Sequence, residues 1–185
     1  MKICLFVVNM DNIRIVSAKR EDADFIAWIV AQGMHMDDVP PFLEGIGARD
    51  DTLYSWTHTR LLQCEGKLIG GLVSYDGATH EEGRRKTWVM LDGKLLNSGD
   101  TPETAEGEYY LDSLAIVPEF RGHGLWKLLF DDAVAMARSK GFHRVTLIYD
   151  ENYPRLAQRY TSYGFQPEDP FLYFGTLCRK MALSI

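Results

Sequence analysis

The stretch EYYLDSLAIVPEFRGHGLWKLLFDDAVAMARSK, residues Glu108 to Lys140, decides how the rest of the chain is read. Tyr109 to Val117 is a β-like run stopped by Pro118. A loop carrying Arg121, Gly122 and Gly124 follows. Then Leu125, Leu128, Leu129, Ala133, Met136 and Ala137 recur at helical spacing. Lys140 places a cation in the last turn and Gly141 stands just beyond it, both favoured at a helix end. The start of this helix is the informative part. A helix leaves its first N–H groups without partners, and Ser, Thr, Asp or Asn commonly caps them. None of these lies between Glu119 and Leu125. Two glycines let a foreign group approach bare backbone, and Arg121 with the helix N-terminus favours an anion. The local chemistry fits a phosphate or pyrophosphate site, and equally a solvated strand-to-helix turn.

Composition bounds the alternatives. The chain has 185 residues, 46% hydrophobic and 25% charged, as expected of one globular domain with a full core. A net charge of −6 argues against a nucleic-acid partner and for a cationic one. Cys4, Cys64 and Cys178 have neither metal-ligand spacing nor the pattern of a disulfide framework, which favours a reducing, cytoplasmic compartment. The apolar run Ile3 to Val8 is far too short to span a membrane. Residues 1–9 read as a tail and 10–185 as a single domain. His35, Asp37 and Asp38 lack a recognisable ligand spacing, so no metal is expected.

Outward from the central stretch, Ile13 to Ala18 reads as a strand and Glu21 to Gln32 as a helix. Phe25, Ile26, Ile29 and Val30 of that helix face inward, and Gly33 closes it. Met34 to Ala48, with Pro40, Pro41, Gly45 and Gly47, reads as a loop or short helices near a site mouth. Thr57 to Cys64 and Lys67 to Tyr75 form a hairpin around Glu65-Gly66. His80 to Leu91 is a candidate helix, and the acidic segment Asn97 to Glu108 a mobile loop. Arg144 to Tyr149 is a strong strand. A helix then runs from Pro154 to Tyr163 and ends at Gly164, with a last strand over Phe171 to Met181. This order points to an α/β or α+β sheet with helices on its faces. Period-2 alternation puts Glu108, Tyr110, Asp112, Leu114 and Ile116 on one face of the central strand.

LAIVPEFRGHGLWKLL, Leu114 to Leu129, resembles the acetyl-CoA-binding segment of the GCN5-related N-acetyltransferase (GNAT) superfamily. That pattern is a strand, a Pro, then Arg/Gln-x-x-Gly-x-Gly/Ala opening a helix. Arg121 and Gly124 fill its first two positions, and Trp126 stands where the family has Gly or Ala. NYPRLAQRYTSYGF, Asn152 to Phe165, is similar to the family's later segment through Asn152, Tyr160, Gly164 and Phe165. The resemblance covers roughly Ile13 to Ala182. It implies a mixed, mostly antiparallel twisted sheet with helices on both faces and splayed fourth and fifth strands. It also implies acetyl-CoA as co-substrate. The backbone of Leu114, Ala115 and Ile116 would pair with the pantetheine arm. Residues Arg121, Gly122, His123, Gly124, Leu125 and Trp126 would cradle the pyrophosphate, with Asn152 nearby. One strand N–H would polarise the thioester carbonyl.

The activity implied is acetyl transfer to an amine of a small molecule or protein, by a monomer or homodimer. Tyr160 is the expected acid for the leaving thiolate, against a reading as a core aromatic. Glu108 or Asp112 is the expected base. A non-catalytic acyl-CoA sensor of the same fold is the alternative. A dinucleotide-binding reading fails because Lys127 occupies the third glycine position and five residues, Pro118 to Gly122, separate the strand from the second-glycine register. A Walker-type site fails for want of Gly-Lys-Ser/Thr.

Overall fold

The computed structural model describes residues 12–88 and 102–185. The expected tail over residues 1–9 lies outside these residues, as do the end of the helix expected to reach Leu91 and the start of the acidic loop. Seven strands form one sheet: β1 (Ile13–Ser17), β2 (Thr59–Cys64), β3 (Lys67–Asp76), β4 (Tyr109–Ile116), β5 (Arg144–Asp150), β6 (Gln166–Tyr173) and β7 (Thr176–Ser184), in the spatial order β1-β2-β3-β4-β5-β7-β6. Every neighbouring pair is antiparallel except β4–β5, which is parallel. Among the described residues, four α-helices accompany the sheet: α1 (Ala23–Gly33), α2 (His80–Trp88), α3 (Leu125–Ser139) and α4 (Pro154–Tyr163).

The sheet is apolar on both faces, and each face has its own core. On one, Ile26, Ile29 and Val30 of α1 pack on Leu61, Val73, Tyr110 and Ala115. On the other, Leu125, Leu129, Phe130, Ala133 and Ala137 of α3 pack on Leu62, Leu72, Tyr109 and Leu147. Leu128 is an exception to the expected apolar stripe, at 37% exposure. Gly33 also differs from expectation. It is the last residue of α1, not its left-handed stop, and a Cβ there would lie 2.9 Å from Ser113 Oγ. The glycine lets the end of α1 settle onto β4.

The hairpin turn at Glu65 and Gly66 takes φ of +49° and +82°, suiting the right-handed twist of its strands. The expected last strand over Phe171 to Met181 is two strands. Phe174 and Gly175, at φ of +46° and +76°, fold β6 back on β7 in its middle. The apolar run hid a turn because Phe174 is not a residue that signals one. The described end of the acidic loop is anchored: Glu103 accepts from Tyr110, and Glu108 from Thr104 Oγ1 and the Ala105 N–H.

Candidate active site

β4 and β5 pair only at Tyr109↔Val145 and Tyr110↔Thr146. Beyond that they part, and the β4 edge from Leu111 to Ile116 has no strand partner on this side among the described residues. A β-bulge accompanies the parting. Val73 pairs with Ser113 but Ser74 pairs with Leu111, so Asp112 is the extra residue on β4. A bulge bends its strand and shifts the alternation by one. Tyr110 therefore belongs to the α1-side core, while Leu114 and Ile116 belong to the α3 side. The single face expected to carry Glu108, Tyr110, Asp112, Leu114 and Ile116 does not exist.

The wedge between the strands is a cavity of about 480 Å³, lined on the strand side by Leu111 to Leu114 and Leu147 to Asp150. A second cavity of about 470 Å³ shares Leu114, Trp126, His35 and Arg159 with it and reaches Arg121, Gly122 and Gly124 at the start of α3. Gly124 is the α3 N-cap at φ +74° and offers no side-chain cap. Gly122 takes φ +85°, and open space surrounds the position of a Cβ at both glycines. The first N–H groups of a 15-residue helix thus face an unobstructed cradle. Arg121 helps to shape it from behind: its Nε donates to the Ile116 carbonyl at 2.7 Å and Nη2 to Gln32 Oε1 at 3.1 Å.

Strand alternation assigns the free edge. The Val117 N–H bonds the Ile69 carbonyl of β3, so Ala115, two residues back, also directs its backbone groups to β3. Leu114 and Ile116 direct theirs into the wedge. Of the three residues expected along the pantetheine arm, Ala115 turns its backbone groups to β3 and packs its methyl in the α1-side core. Leu125 is 1% exposed, its side chain in the core and only its backbone at the cradle. Trp126 lines both cavities but lays its indole on Phe130 and Tyr163, at 5.3 and 6.0 Å between ring centroids. Its bulk therefore packs toward α4. His123 and Asn152 line neither cavity, and the Asn152 N–H is turned to Asp150 Oδ1.

The three expected catalytic groups separate. Asp112 lines the first cavity. Its Oδ2 accepts from the Tyr75 hydroxyl at 2.6 Å and its Oδ1 from Ser113 Oγ at 2.7 Å. Burial, reinforced by the charge of Glu103, pushes its carboxyl up to about 6. Tyr160 lines the same cavity with its ring stacked on Phe130, and burial pushes its hydroxyl up to about 12. Glu108 is not in the cavity. It is 7% exposed and accepts from Lys180 at 2.7 Å, Arg144 at 3.0 Å and Thr104 at 3.0 Å. Burial pushes its carboxyl up, but the two cations outweigh this and hold it below the usual range. Glu108 is an ion-pair hub joining β4, β5 and β7, and its oxygens are committed there.

Glu103 is the site residue that the sequence did not disclose. It lines the first cavity and accepts from the Tyr110 hydroxyl at 2.5 Å and from the Tyr173 hydroxyl. Only the fold brings it beside Asp112. Among the described residues, no group of three His, Cys, Asp or Glu side chains is arranged to hold a metal ion, and no helix is long and apolar enough to cross a membrane.

Residues 27–165 match the Acetyltransferase (GNAT) family. No curated protein matches the sequence significantly. Among solved structures, an acetyltransferase is 23% identical over 93% of this chain and 99% of its own, with a TM-score of 0.72. An N-acetyltransferase from Staphylococcus aureus Mu50 is 18% identical over 92% and 100%, with a TM-score of 0.75. The yncA protein of Salmonella typhimurium, solved with its cofactor acetyl-CoA, is 15% identical over 94% of each chain, with a TM-score of 0.62. At these identities the likeness shows a common fold.

Proposed function

The chain belongs to the acetyltransferase (GNAT) family, whose members use acetyl-CoA, and from that premise we propose that it moves an acetyl group to a primary amine held beside Asp112. One observation carries this reading: two adjoining cavities, which share Leu114, Trp126, His35 and Arg159, lead from an uncapped helix start to a buried carboxylate. The residues fit the co-substrate. The α3 N-terminus, with Gly122 and Gly124, suits a pyrophosphate, and the Leu114–Ile116 edge suits the amides of a pantetheine arm.

When bound, acetyl-CoA supplies an activated acetyl group on sulfur. The protein supplies the rest. A β4 N–H donates to the carbonyl oxygen where negative charge develops. Asp112 takes the proton from the attacking amine. The Tyr160 hydroxyl, protonated at neutral pH, donates to the departing sulfur. Residues 10–185 act as one domain in a reducing compartment, where Cys64 and Cys178 stay free thiols.

Two measurements test this. Acetyl-CoA should raise the melting temperature, and the protein should release thiol from acetyl-CoA in the presence of a primary amine. Binding without release on any amine would favour an acyl-CoA sensor. No rise in melting temperature would remove the cradle assignment.

A further inference from the structure

The chemistry of the acceptor can be read from the end of the cavity furthest from the cradle. Along β4 the order from the cradle is Ile116, Leu114, Asp112, Tyr110, and Glu103 bonds to the last of these. The end wall is aromatic, built from Tyr54, Tyr110, Tyr173 and Phe174. Into it project two carboxylates, Asp112 and Glu103, with no Lys or Arg beside them among the described lining residues. Behind Glu103 stands His80, 3% exposed, its Nε2 without a hydrogen-bond partner among the described residues and 3.6 Å from Glu103 Oε1. Paired acids within aromatic faces make a site for a cation, which gains from both the charges and the ring quadrupoles.

A tie crosses the same end. Tyr173, at the tip of the β6–β7 hairpin, donates to Glu103 in the loop before β4, and Glu103 in turn accepts from Tyr110 inside the sheet. The hairpin is thereby tied to that loop at the cavity end. A side chain presented on a polypeptide must bring its own backbone past this tie, whereas a free amine need not.

We infer that the acceptor is a small, free primary amine that enters as an ammonium ion, with an apolar body lying against the aromatic wall and Glu103 and Asp112 as its charge partners, and not a lysine or N-terminus of a protein. This rests on the acetyl-transfer reading above and narrows it.

The test is steady-state thiol release from acetyl-CoA with small alkyl and arylalkyl amines, and with lysine-containing and free-N-terminal peptides. It uses the parent protein, Glu103→Gln and Tyr173→Phe, and acetyl-CoA binding is read separately by thermal shift. Small amines should react and peptides should not. Glu103→Gln should raise the KM of the amine roughly tenfold or more, the scale of a lost charged contact, with the acetyl-CoA shift unchanged. Tyr173→Phe keeps the charge but cuts the tie, and should admit peptides that the parent rejects. Peptides turned over by the parent as well as small amines, or a Glu103→Gln variant with an unchanged amine KM, would overturn the inference while leaving acetyl transfer intact. No thiol release on any amine, with acetyl-CoA bound, would overturn both.

Discussion

The Tyr75 hydroxyl donates to Asp112 Oδ2 at 2.6 Å, and the residue that receives it is the extra residue of the β4 bulge. The bulge removes Asp112 from the regular alternation and turns it to the cavity, where Tyr75 fixes the carboxylate. This bond favours the ionised form, opposing the burial that pushes the carboxyl up to about 6. Tyr75→Phe should therefore move the acid limb of kcat/KM to higher pH, by about half a unit or more. The plateau rate above that limb should remain. A variant with an unmoved acid limb would show that Asp112 does not set it.

The Tyr160 ring stacks on Phe130, with centroids 6.0 Å apart, and the proposed proton donation rests on its hydroxyl alone. Tyr160→Phe keeps that packing and removes the hydroxyl. We expect kcat to fall about a hundredfold, the lower range for a lost general acid, with little change in the melting temperature. An unchanged kcat at every pH would leave Tyr160 as a core aromatic alone.

Glu108 should act on stability and not on turnover. Glu108→Gln leaves Lys180 and Arg144 without their shared carboxylate and should cost about 1–3 kcal/mol, with kcat preserved. The sign with pH follows from a carboxyl held below its usual range. Its contribution is present above the ordinary carboxylate pKa and lost as pH falls through the folded value. Thermal denaturation of parent and variant should converge in acid. A variant as stable as the parent at neutral pH would refute the hub.

Gly124 holds φ at +74° in the cradle, with open space where a Cβ would stand. Gly124→Ala places a methyl group in that space and strains the backbone by about 1–2 kcal/mol. The melting temperature should drop by a few degrees, and acetyl-CoA should bind about tenfold more weakly. Unaltered affinity, measured by calorimetry, would move the pyrophosphate elsewhere.

Much of this was legible in the sequence for local reasons. The uncapped start at Gly124-Leu125, the Glu65-Gly66 hairpin and Pro154 at the head of α4 are signals carried by neighbouring residues, and each stands where expected. What was not legible depended on pairing. The bulge at Asp112 exists only in the register against Val73 and Ser74, so simple alternation put Glu108 and Asp112 on one face, whereas Glu108 faces Lys180 and Arg144. Glu103 read as one acid among several in a polar segment, because its partners Tyr110, Tyr173 and His80 come from three separate elements. Gly33 looked like a helix stop, since its neighbour Ser113 lies eighty residues away along the chain.

The most direct test of acetyl transfer beside Asp112 is the pH dependence of acetyl-CoA thiol release, with amine well below its KM, for the parent and for Asp112→Asn. The parent rate should rise as pH passes through about 6, where the carboxyl loses its proton. The asparagine variant should lose that rise and fall about a hundredfold or more below the parent on the plateau. A variant with the parent's profile and rate would contradict the assignment of Asp112 as the base.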